Sequence, residues 1–86
     1  MRISIPSQLH SYTGGASVVD GQGQSLAEVL AWLDGEFPGL KFRIVDEQDQ
    51  IRPHIRFFVD GRMAREISHP VGPDDVVKIV GALSGG

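Results

Sequence analysis

The residues with the clearest chemical potential lie at one end of the sequence. Its 86 residues finish with Gly81-Ala82-Leu83-Ser84-Gly85-Gly86, directly after an apolar run, Val76-Val77-Lys78-Ile79-Val80. The run is rich in β-branched residues and has the composition of a strand. Glycine has no Cβ and accepts backbone angles closed to other residues, so a Gly-Gly end is a thin, pliable thread. Such a thread can enter a narrow site on another protein and present an α-carboxylate there. Termini are also glycine-rich simply because they tolerate it. With 11 glycines in the chain, composition alone would place two at the end of about 2% of such sequences. The pair therefore takes its meaning from the body in front of it.

No competing constellation stands out. Cysteine is absent, which removes disulfides, thiolate metal sites and a cysteine nucleophile together. His10, His54 and His69 show no ligand spacing and have no carboxylate companion, so no metal is expected. Ser7 and Ser68 have a histidine nearby in sequence, but a triad needs a positioned nucleophile, base and orienter. Gly14, Gly15, Gly21 and Gly23 do not follow a strand-to-helix phosphate fingerprint and read as turns. The acidic stretch Asp46-Glu47-Gln48-Asp49-Gln50 reads as a solvated loop in preference to a metal site, because nothing orders its carboxylates towards one another.

Eleven acidic and eight basic residues leave a net charge of −3. Arg2, Arg43, Arg52, Arg56, Arg62 and Arg65 are dispersed, with Lys41 and Lys78 the only lysines. No basic stripe is visible, so nucleic acid is not an expected partner. The apolar runs fall far short of a membrane span, and the N-terminal residues lack a signal-peptide core. A cytoplasmic protein with no membrane partner is expected.

The length and the 41% apolar content indicate one globular domain. Arg2-Ile3-Ser4-Ile5 alternates as a half-buried strand that Pro6 ends or confines to an edge. Thr13-Gly14-Gly15 signals a turn, and Ser17-Val18-Val19-Asp20 returns as the second strand of a hairpin with a long connection. Ser25-Leu26-Ala27-Glu28 has the form of a capping box, with Ser25 accepting three residues on and Glu28 reaching back to the Ser25 amide. Leu26, Val29, Leu30, Leu33 and Phe37 then fall at helical spacing in one apolar stripe, with Trp32 at its edge, and Pro38-Gly39 stops the helix. Lys41-Phe42-Arg43-Ile44-Val45 alternates and reads as a short turn or strand. His54-Ile55-Arg56-Phe57-Phe58-Val59 is a strand, Asp60-Gly61 a hairpin turn, and Arg62-Met63-Ala64-Arg65 the return. In the last strand Val77 and Ile79 share a face, with Val76, Lys78 and Val80 on the other. A single amphipathic helix needs a sheet to cover its stripe. The fold class that satisfies every apolar face is α+β: a β-grasp, with a mixed sheet of four or five strands packed on one main helix. It occupies residues 1–80, followed by a flexible Gly-Gly tail, 81–86.

The chain resembles the MoaD/ThiS group of ubiquitin-like sulfur carrier proteins, most of all its CysO-like branch, the carriers of a cysteine-forming pathway. The likeness rests on Ser4-Ile5-Pro6, Thr13-Gly14-Gly15, the Ser25-capped helix and the strand Ile55-Arg56-Phe57-Phe58-Val59 with its Asp60-Gly61 turn. It ends with Asp75, Val77 and Ile79 before Gly85-Gly86. That family often has Gly-Asp before the last strand and Pro at its exit, where this chain has Asp74 and Gly81. The glycine there implies a looser tail.

The resemblance implies a carrier and not an enzyme. An E1-like activating enzyme of the ThiF/MoeB type adenylates the C-terminal carboxylate of Gly86, using ATP that the carrier itself does not bind. A sulfur donor then displaces AMP and leaves a thiocarboxylate that a biosynthetic acceptor enzyme consumes. Cysteine formation leads as the pathway, followed by molybdopterin, thiamine or a specialised thio-metabolite. Gly81, Ala82, Leu83, Ser84 and Gly85 become the threading segment. Phe58, Val76 and Val80 face away from the core, and Arg56 and Arg65 either rim them or, as is commoner, are simply solvated at the surface. The three apolar residues are either a docking surface for partners or the floor beneath a loop, residues 40–52, folded over them. Two other readings stay open: a β-grasp interaction module that carries nothing, and a ubiquitin-like modifier conjugated through Gly86.

Overall fold

The computed structural model describes residues 1–81. Its elements follow the order β1 (Arg2–Ser4), a 3-10 helix (Ser7–Tyr12), β2 (Val18–Asp20), α1 (Leu26–Glu36), α2 (Lys41–Ile44), β3 (Ile55–Val59), β4 (Arg62–Ala64) and β5 (Val76–Gly81). The strands form one mixed sheet ordered β2-β1-β5-β3-β4. β1 runs parallel to β5, and the other neighbouring pairs are antiparallel. This is a β-grasp, with five strands packed on one main helix.

Helix α1 starts as its sequence dictates. The Ser25 hydroxyl accepts from the Glu28 amide at 3.2 Å, satisfying one of the orphan donors of the first turn. The Glu28 carboxylate reaches back to the amide of Gln24 at 3.1 Å, one residue before the expected partner. Two further first-turn donors, Leu26 N–H and Ala27 N–H, are taken by the carbonyls of His69 and Ile67. Leu26, Val29, Leu30 and Leu33 are buried, while Phe37 and Trp32 pack half-buried at the margin. The stripe meets the inner face of the sheet, made of Ile3, Ile55, Phe57, Val59, Val77 and Ile79.

The β3–β4 turn has positive φ at both Asp60 (50°) and Gly61 (84°). That is the type I′ geometry whose twist matches the flanking strands. Alternation then sets the faces: Phe57 pairs with Ala64 on the inside and Phe58 with Met63 on the outside.

Three expectations change. Residues 41–45 are neither strand nor simple turn, because α2 occupies Lys41–Ile44. Leu40 and Ile44, one helical turn apart, both point into the core with Val45 beside them. Asp34 starts this turn by accepting from the amides of Gly39 and Lys41. The connection from β1 to β2 is itself structured, as the 3-10 helix buries Leu9. The third change is at the end of β5. The strand continues through Gly81, paired with Ile55, one residue past the expected domain limit of 80.

Candidate functional site

β5 leaves the sheet at its centre, flanked by β1 and β3. Its last pairs are Val80 with Arg56 and Gly81 with Ile55. On the β1 side, register pairing stops at Ser4 and Lys78. β1 then runs into Pro6, which has no amide hydrogen to continue a ladder. The 3-10 helix takes its place. From its second residue, the Gln8 side-chain amide donates to the carbonyl of Gly81 at 2.9 Å. The root of the tail is therefore held from two sides. Of the threading segment, Gly81 is the only member described. Ala82, Leu83, Ser84, Gly85 and Gly86 lie outside the described residues.

The sheet's outer face brings Phe58, Val76 and Val80 together, as the alternation requires. With Gly61 and Lys78 they line a shallow hollow of about 350 Å³. Val76 is 38% exposed and Val80 43%. Residues 40–52 do not cover them, since Leu40, Ile44 and Val45 are committed to the core on the other side of the sheet. Arg56 stands at the border opposite Val80, its guanidinium donating to the carbonyls of Pro53 at 2.6 Å and Ile55 at 2.9 Å. Arg65 is displaced from this hollow. It shares a neighbouring groove with Arg52, Arg56 and Met63.

Two outer-face residues escaped the sequence reading. Met63 is 41% exposed opposite Phe58, and Val18 is 48% exposed opposite Ser4. The signal for Met63 was present: a two-residue turn at Asp60-Gly61 dictates that Met63 faces Phe58. For Val18 the hairpin register was needed, and the long connection concealed it.

The other candidate chemistry is accounted for by local structure. His10 Nε2 lies 2.8 Å from the Ile5 carbonyl. The Asp46 carboxylate accepts from the amides of Gln48 and Gln50, and so shapes its own loop. Lys41 pairs with Asp49 at 3.6 Å. Among the described residues no three His, Asp or Glu side chains converge as a metal site would require.

A mixed five-stranded sheet with its last strand at the centre, packed on one main helix, defines a ubiquitin-like β-grasp protein. The ThiS family model matches residues 3–86, and the chain belongs to the ThiS family. It is 28% identical over 89 residues to the sulfur carrier protein CysO of Mycobacterium tuberculosis, covering 98% of this chain and 96% of the relative. In structure it is similar to a chain of the Amycolatopsis orientalis BexX/CysO complex, with a TM-score of 0.91, 27% identity, and 99% and 98% of the two chains covered. The M. tuberculosis CysO crystal structure shares the fold at a TM-score of 0.90, with 24% identity over 95% of this chain and 98% of that one. No helix among the described residues is long and apolar enough to cross a membrane.

Proposed function

We propose that this protein is a cytoplasmic sulfur carrier whose working group is the carboxylate of Gly86. The observation that carries the reading is a family match that extends through residue 86, the tail included, on a fold whose central strand leads directly into that tail.

The chemistry follows from leaving groups. A carboxylate is a poor acyl donor because it would have to expel oxide. In the proposed activation a carboxylate oxygen of Gly86 attacks the α-phosphorus of ATP on a ThiF/MoeB-type enzyme, and pyrophosphate departs. The resulting mixed anhydride carries AMP, a good leaving group. A sulfide-level donor then attacks the carbonyl carbon, the bond to AMP breaks, and a thiocarboxylate remains. Because the chain has no cysteine, that sulfur is the only thiol-like nucleophile it can bring to a partner. The acceptor proposed first is an enzyme of cysteine formation, as the resemblance to the CysO-like branch implies. Phe58, Val76 and Val80, with Arg56 at their border and Arg65 in the adjoining groove, form the proposed docking face. The catalytic groups belong to the partners.

The test uses the missing cysteine. Protein from its native host is treated with a thiol-alkylating reagent, and the intact mass and terminal peptide are measured. An adduct at Gly86 is the expected result. An unmodified Gly86 under sulfur demand, and again after incubation with ATP, sulfide and the activating enzyme, rejects the carrier reading.

A further inference from the structure

Along β5, backbone groups alternate sides. The Val76 carbonyl accepts from the Asp60 amide, so it faces the β3 side. Gly81 is five residues further on, and its carbonyl therefore faces the β1 side. There β1 has already ended. On the other flank the Ile55 amide, belonging to Gly81's register partner, donates to the Arg52 carbonyl. The sheet thus leaves the Gly81 carbonyl to a side chain, and Gln8 supplies the donor at 2.9 Å from an element 73 residues earlier. The fit is close: a Cβ added at Gly81 would lie 3.1 Å from Gln8 Nε2 and 3.2 Å from its Cδ. A methyl group at this position would push the Gln8 amide back by a few tenths of an ångström.

Whatever the tail does begins at this carbonyl. We infer that Gln8 is a positioning residue for delivery of the tail: by fixing the Gly81 peptide it sets the direction in which the chain leaves the sheet. This rests on the carrier reading above. A root already ordered in the free protein has less freedom to lose when a partner takes the tail. Losing the bond should therefore weaken productive binding of the carrier and leave the bound reaction unchanged. Gln8 is exposed, so its replacement leaves the core intact.

The experiment pairs Gln8→Ala with Gln8→Glu, the second keeping shape while removing the N–H donor. ATP–pyrophosphate exchange is measured with the host's ThiF/MoeB-type activating enzyme, and the order parameter of the Gly81 carbonyl is measured in the free proteins by 13C NMR relaxation. Both variants are expected to raise KM for the carrier about three- to tenfold, the worth of one hydrogen bond, with kcat within about twofold and Tm lowered by about 3–8 °C, the shift the same bond is worth in a domain of this size. The Gly81 order parameter should fall from about 0.85 towards about 0.6. A merely structural role would move Tm and leave KM alone. Unchanged KM in both variants, a lower KM, or an undiminished order parameter overturns the proposal. If the wild-type protein supports no exchange while the order parameter still falls in the variants, the carrier reading has failed and the delivery role with it. The latch itself would then stand only as a local contact.

Discussion

A methyl group added at Gly23 has nowhere to go. The residue sits at φ +149°, and a Cβ there would lie 2.7 Å from the Val29 amide nitrogen, inside the first turns of α1. Gly23→Ala is expected to lower stability by about 1–3 kcal/mol, read as a lower denaturant midpoint at unchanged slope. Gly61→Ala should cost less, about 1 kcal/mol, because its φ of 84° is strained for alanine but the space around it is open. Both glycines were legible as punctuation, since breakers and Asp-Gly turns announce themselves locally. Gln8 was not. Its partner lies 73 residues away, and nothing in a polar residue of an irregular stretch discloses which carbonyl it will reach.

At the scale of elements, legibility followed length. α1 presents its stripe over eleven residues, enough for a 3.6-residue period to be distinguished from alternation. The four residues of α2 are not enough. Phe42 and Ile44 fit alternation while Leu40 and Ile44 fit one helical turn, so the stretch does not choose between the two, and the Asp34 carboxylate that starts the turn belongs to the preceding helix. The 3-10 helix left still less trace, a single buried apolar residue, Leu9. Two substitutions test what holds α1. Ser25→Ala removes the hydroxyl that accepts from Glu28 and should cost about 0.5–2 kcal/mol. Leu33→Ala empties a fully buried position and should cost about 2–5 kcal/mol. Thermal denaturation of the two variants should rank them in that order, and the reverse ranking would show that the cap outweighs the stripe.

For the molecule as a whole, the sheet divides labour between its faces. The inner face is sealed by α1 and α2; the outer face keeps Val76, Val80, Met63 and Val18 in water. Val76→Asp and Val80→Asp should leave the protein folded at a cost of about 1 kcal/mol each, since both side chains are part exposed but lie on the central strand, where Asp is a poor strand former. Each should weaken binding to the activating enzyme about tenfold or more in a calorimetric titration. Intact binding by both variants would move the interface elsewhere. That Val76 and Val80 share a face could be read from alternation, whereas the absence of a cover depended on where residues 40–52 went, and that is a tertiary fact. The parallel pairing of β1 with β5 has a mechanical side as well. Met1 precedes the start of one strand and Gly81 ends the other, so tension applied between them would shear the β1–β5 bonds together instead of unzipping them singly. A machine pulling on the chain beyond Gly81 would meet the sheet along its most resistant direction, which makes that end a poor handle for tearing the protein apart.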